Sequence, residues 1–172
     1  ILATRGYIFG LSYELVGVIF GGDYDFSRVN VRLGWFQTLY TNADNFKHVL
    51  ALGSRIGLAK SHSSEKTPIF ERFFAGGASS IRGFQFRTVG PKDPFSGDPL
   101  GGDYTMVNTI EYSLPIYKDT FRMVLFSDLG NVMPEIGDNI FQEFRISVGF
   151  GFRIKVPFFG PRPFALDFGF PL

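Results

Sequence analysis

The sequence predicts an all-β fold: an antiparallel transmembrane β-barrel, present in part as about seven strands of a larger barrel. Three observations lead there. The first is strict alternation. From Phe144 to Ile154, the residues Phe144, Ile146, Val148, Phe150, Phe152 and Ile154 share one face, while Arg145, Ser147, Gly149, Gly151 and Arg153 share the other. Successive side chains of a strand point to opposite faces, so this ribbon is greasy on one side and small or charged on the other. A membrane barrel uses both sides, because lipid wets its outside and water its lumen. The second is composition, with 22 Phe, 7 Tyr and 21 Gly in 172 residues. The third is that short and long connectors roughly alternate, as they do in barrels with short periplasmic turns and longer external loops.

Seven segments carry the alternation, most of them near the ~9–11 residues that cross a bilayer as tilted strands. The first, Tyr7 to Leu15, turns Tyr7, Phe9, Leu11, Tyr13 and Leu15 to lipid, and Ile8, Gly10, Ser12 and Glu14 inward. In the second, Arg28 to Trp35, Val29, Val31, Leu33 and Trp35 oppose Arg28, Asn30, Arg32 and Gly34. The third runs from His48 to Leu58, with Leu50, Leu52, Ile56 and Leu58 outward and Ala51, Gly53, Arg55 and Gly57 inward. The fourth, Tyr104 to Leu114, places Tyr104, Met106, Ile110, Tyr112 and Leu114 outward, and Thr105, Thr109, Glu111 and Ser113 inward. In the fifth, Phe121 to Gly130, Arg122 and Asp128 face in. The sixth is the ribbon quoted above. The seventh, Phe164 to Leu172, has Ala165, Asp167 and Gly169 inward. Facing water, Gly149 is expected to accept serine far more readily than lipid-facing Val148 accepts arginine.

The connectors set a direction. Tyr117 to Thr120, Thr41 to Lys47 and Pro157 to Pro163 are short; Asn131 to Glu143 is intermediate, and Ala59 to Asp103 is very long. The long one is expected to be external. Seven strands leave an unpaired edge, which is costly in lipid, so further strands are expected beyond Leu172 and before Ile1. The chain has no initiator Met and no export signal at its start, and so reads as a piece of a longer precursor.

Other totals narrow the function. A formal net charge of +1 implies no field for nucleic acid. The absence of cysteine rules out a disulfide scaffold and thiolate metal sites. His48 and His62, the only histidines, lie far apart and have no metal-ligand spacing. Glu14, Asp23 and Asp25 read as a hydrated loop cluster rather than a cation site. Gly76 to Gly83 is glycine-rich but lacks a phosphate-loop lysine. Arg28, Arg32, Arg55, Arg145 and Arg153 read as lumen-solvating rather than as an anion filter. Tyr7, Trp35, Tyr40, Tyr112 and Phe170 suit interfacial girdles.

One motif is more specific. The long connector carries Phe73-Phe74-Ala75-Gly76-Gly77-Ala78-Ser79-Ser80-Ile81-Arg82-Gly83-Phe84, then Val89-Gly90-Pro91 and Leu100-Gly101-Gly102. With Glu111 of T-I-E-Y-S-L-P, Asp128 of F-S-D-L-G-N-V and the closing G-P-R-P-F-A-L-D-F-G-F-P-L, it resembles the BamA superfamily over nearly the whole chain from Arg5 onward. That resemblance implies strands nine to fifteen of a sixteen-stranded barrel preceded by periplasmic POTRA domains. It places the protein as an integral component of a Gram-negative-type outer membrane, in a bacterium rather than an organelle. The implied activity is the insertion of nascent outer-membrane proteins, without enzymatic turnover, metal or cofactor. The implied mechanism is a weak seam to which a client strand adds by β-augmentation. Unfolded clients, outer-membrane lipids, accessory lipoproteins and the POTRA domains are the implied partners. A secretion or TamA-like translocation pore of the same superfamily is the alternative; a small stand-alone channel barrel is another.

The resemblance further implies that the loop spanning residues 59–103 folds into the lumen, where Arg82 of the Ile81-Arg82-Gly83-Phe84 motif meets Glu111 and Asp128. Strand parity independently puts both carboxylates on the polar face. Gly76, Gly77 and Gly83 would allow tight turns, and Phe84 would pack beside the arginine. Glu111 and Asp128 could also pair for acid–base chemistry, but the sequence has no readable substrate cleft, and an arginine partner accounts for both.

Overall fold

The computed structural model describes residues 3–17, 24–62, 66–135, 144–156 and 163–172. Seven strands form one antiparallel sheet in chain order: β1 (Gly6–Val16), β2 (Phe26–Thr41), β3 (Lys47–Ser61), β4 (Tyr104–Tyr117), β5 (Phe121–Met133), β6 (Arg145–Ile154) and β7 (Phe164–Pro171). Among the described residues of the long connector, Ile69–Glu71 form a 3-10 turn. Every neighbouring pair is joined consecutively, with no crossover, as in an up-and-down barrel wall.

Register makes the two faces continuous. Opposite residues share a face, so the pairs Tyr7↔Trp35, Trp35↔Leu52, Leu52↔Ile110, Leu125↔Phe150 and Phe150↔Phe168 build one aromatic and aliphatic sheet surface. Phe150 and Phe168 stack at a centroid distance of 5.3 Å. The pairs Arg32↔Arg55, Thr109↔Asp128 and Asp128↔Ser147 lie on the other surface. Burial is inverted relative to a water-soluble sheet. Tyr7, Phe9, Leu11, Ile110, Leu166 and Phe170 are exposed, whereas Arg122, Asp128 and Ser147 are buried. An apolar surface of this extent needs a partner phase, and hydrocarbon is the one that suits it.

Strands β2 to β5 are longer than their alternation alone indicates. β2 reaches Thr41 rather than Trp35, and β3 reaches Ser61 rather than Leu58. Beyond Trp35 the pattern changes character, with Phe36 on the polar-face parity and Gln37 on the aromatic one. The ladder to β3 nevertheless carries on, through an irregularity between Thr38 and Tyr40. Strands β2 to β5 therefore extend past what a bilayer crossing requires.

The long connector is folded against the polar face. The isolated bridge Phe73↔Gly102 closes it, and Ala75↔Val89 and Lys92↔Pro99 close two smaller turns side by side within it. Ala75, Ile81, Val89, Val107 and Val132 form a small apolar cluster between loop and sheet, with Phe84 packed against it. This is where the core lies, between the loop and strands β4 and β5.

Packing overturns one expectation. A Cβ on Gly149 would sit 2.5 Å from the Phe126 ring and collide with the Phe168 carbonyl oxygen. Gly149→Ser is thus a strongly destabilising change, not a mild one. The polar face at this point is filled by Phe126 instead of open to water.

Candidate functional site

The site is built from β4, β5 and β7 and the loop turn between Gly76 and Val89. The turn is held open in a shape that glycine favours. Gly76 has φ 104° and Gly83 φ 90°, in the region that side chains with a Cβ disfavour. The Gly76 amide donates to Ser80 Oγ at 2.8 Å, and the Gly77 amide donates to the Phe84 carbonyl at 3.0 Å. Ile81, fully buried, pins the turn to the apolar cluster. At Gly83 the loop backbone rides directly on β7. A Cβ there would lie 2.9 Å from the Gly169 carbonyl carbon, and one on Gly169 would lie 2.6 Å from the Gly83 nitrogen.

That clamp aims Arg82 at the wall. Its Nε donates to Asp128 Oδ2 at 2.7 Å and its Nη2 to Asp128 Oδ1 at 2.8 Å, a two-pronged fork. The Arg82 backbone amide also donates to Asp128 Oδ2, at 3.0 Å. Nη1 donates to Glu111 Oε1 at 2.6 Å and reaches Asp167 Oδ2 at 3.4 Å. Thr109 Oγ donates to Asp128 Oδ1 at 2.9 Å. The guanidinium carbon lies 3.5 Å above the centroid of the Phe126 ring, a cation–π contact. Asp128 has no solvent exposure and the Arg82 side chain 9%, so these bonds form out of water, where charge-assisted forks are strongest. Burial works against the Arg82 charge. Hydrogen bonding to Asp128 and Glu111, and the attraction of both carboxylates, outweigh it and hold the pKa above the ordinary arginine value.

Around this fork the residues singled out in the sequence fall as follows. Ile81, Arg82, Gly83, Glu111 and Asp128 converge on one spot. Gly76 and Gly77 shape the turn that delivers them. Phe84 packs on Ala75, Ile81, Val89, Val107 and Val132, and the ring lying on the guanidinium belongs to Phe126. Phe126, Asp167 and Arg153 are participants that the sequence reading did not assign to the site. Phe126 shares the parity of Asp128, and an aromatic at an inward position two residues from a carboxylate is the signal that could have found it. Arg153 and Asp167 lie on the inward parity of β6 and β7, and they pair with each other. Their link to Arg82 depends on register alone.

Several other charges on the polar face are also engaged. Arg28 bonds Glu14 and forms an ion pair with Glu71 at 3.1 Å, so Glu14 belongs to an ion pair; Asp23 lies outside the described residues. Arg55 donates to the Ser79 carbonyl at 2.6 Å. Arg122, at the short-turn end, bonds Ser113, Asp119 and the Lys47 carbonyl. His48 contacts the Tyr112 hydroxyl at 3.0 Å, and His62 contacts Ser27 Oγ at 3.0 Å.

Arg82 bridges β4 and β5, adjacent in the sheet, through Glu111 and Asp128, while the loop backbone at Gly83 abuts β7 two places further along. Comparison with known proteins agrees with the fold. A family model described as the Omp85 superfamily domain matches residues 1–172. The chain is 37% identical over 172 residues to the outer membrane protein assembly factor BamA of Nitratidesulfovibrio vulgaris, covering 98% of this chain and 21% of that protein. It is 31% identical over 137 residues to BamA of Neisseria meningitidis serogroup B, covering 75% of this chain and 16% of that protein. A crystal structure of Haemophilus ducreyi BamA lacking POTRA domains 1–3 superimposes with a TM-score of 0.80 at 22% identity, over 98% of this chain and 35% of that one. The chain thus spans about a fifth of the length of these two curated relatives.

Proposed function

This chain belongs to the Omp85 superfamily, and from that premise we propose that it forms the C-terminal part of an outer-membrane barrel that inserts other β-barrel proteins into the membrane, with Arg82 acting as the latch that braces its wall. The fold is an antiparallel barrel wall, and its place is integral to the outer membrane. In this reading the aromatic face meets lipid, the polar face lines the lumen, and the connector between β3 and β4 enters from outside and packs its motif region within. Clients are unfolded outer-membrane proteins, and POTRA domains and accessory lipoproteins deliver them.

The observation that carries the proposal is the fork of Arg82 onto Asp128 with Glu111 at its third nitrogen. A pore that needed only to conduct would gain little from filling its lumen with a pinned loop. A barrel whose wall must yield locally while staying intact elsewhere needs a rigid section opposite the yielding one. A connector of this length loses much conformational freedom when pinned, and three carboxylates, a buried isoleucine and a backbone-on-backbone contact offset that cost.

The test uses the full-length protein in lipid vesicles, with an unfolded outer-membrane protein as client and protease-resistant client as the readout. Asp128→Asn keeps the shape of the site and removes its buried charge. The proposal predicts that insertion slows by about tenfold or more, since hydrogen bonds to charged groups contribute ~1.5–3 kcal/mol. Insertion at the wild-type rate, with the variant correctly folded, would contradict it.

A further inference from the structure

Arg82 has a rival. Arg153 of β6 forks onto Asp167, with Nη1 on Oδ1 and Nη2 on Oδ2, and its Nη2 lies 3.9 Å from Glu111 Oε1. Both carboxylates are also within reach of Arg82 Nη1. The pairing is accommodated by the lack of a side chain at Gly151, where a Cβ would collide with Asp167 Oδ1. Two arginines therefore share Glu111 and Asp167, and only Asp128 belongs to Arg82 alone among the described residues.

Resting on the latch reading above, we propose that Arg153 is the positioning residue that makes the latch releasable: it holds Glu111 and Asp167 when Arg82 withdraws. With the loop docked, the guanidinium groups of Arg82 and Arg153 face three carboxylates, and Arg55 adds a further positive charge within electrostatic reach of Asp128. With the loop withdrawn and Arg153 present, Glu111 and Asp167 keep a cation beside them, and Asp128 retains the Thr109 hydroxyl. Without Arg153, release would strand Glu111 and Asp167 on a partly desolvated wall with no cation beside them. Docking, by contrast, would gain, because Arg82 would no longer compete with a like charge for its partners.

This fixes a sign that ordinary structural support would not share. If Arg153 only propped the wall, its removal would loosen the loop. If it competes with Arg82, its removal tightens the loop. Amide hydrogen exchange of residues 76–90, followed by mass spectrometry on the full-length protein in lipid nanodiscs, reads the open population directly. Arg153→Gln should slow exchange roughly two- to five-fold, the size of one partly exposed ion pair, and Arg153→Met should do the same. Arg153→Lys, which keeps the charge, should exchange like wild type. Unchanged or faster exchange in both neutral variants overturns the proposal. Arg82→Ala serves as the reference: if it leaves exchange unaltered, the latch reading itself fails, whereas faster exchange in Arg82→Ala together with faster exchange in Arg153→Gln removes only the role given to Arg153.

Discussion

Arg82→Ala is expected to release the loop from the wall. The substitution deletes three bonds to side-chain carboxylates of Glu111 and Asp128 and leaves Asp128 as a fully buried carboxylate that accepts from the Thr109 hydroxyl and the loop amide. Removing one member of a buried ion pair costs ~3–5 kcal/mol, mostly because the other charge stays desolvated. Loop amides from Gly76 to Val89 should then exchange faster by at least about 100-fold, since each ~1.4 kcal/mol is a factor of ten. Arg82→Lys should fall between wild type and alanine, because an ammonium group meets one carboxylate well but cannot fork. The strands themselves should persist, since their ladders do not depend on the loop. An Arg82→Ala loop as protected as the wild type would show that Ile81 and the Gly83–Gly169 contact suffice to hold it.

The second large effect concerns the opposite face. Val148 points to the aromatic side, paired with Ser127 of β5 and Phe170 of β7, and is 39% exposed. In a lipid-facing band, arginine near mid-bilayer costs ~2–4 kcal/mol and close to the interfaces far less. Val148→Arg should therefore lower unfolding stability in vesicles by that amount, while Val148→Leu should be close to neutral. Measured by denaturant titration of the full barrel in lipid, an arginine variant as stable as the wild type would remove Val148 from the hydrocarbon and reverse the facing of β6.

The facing was legible in the sequence because a strand's side-chain period is two. That regularity needs no knowledge of neighbours, so Glu111 and Asp128 could be placed on one side from their own segments. Arg82 could be linked to them through the resemblance of its loop motif. Contacts that depend on register between separate strands were not legible. Phe126 lies under the guanidinium because β5 places it opposite Glu111 and two residues from Asp128, and Arg153 finds Asp167 across the β6–β7 ladder. Gly149 misled for the same reason. Its own strand makes it look like an open inward position, whereas the neighbouring strands crowd it with Phe126 and Phe168. Strand ends were blurred where a residue of the wrong character, such as Phe36 or Gln37, continues a ladder that its partner sustains.

A double-mutant cycle tests the central claim most directly. Loop exchange is measured in the full-length protein for wild type, Arg82→Ala, Asp128→Ala and the pair together. If Arg82 and Asp128 hold the loop by holding each other, the double variant should be no worse than Arg82→Ala alone, because removing the carboxylate also removes its stranded charge. Losses that simply add would mean that the two residues act independently, and the latch would have to be abandoned.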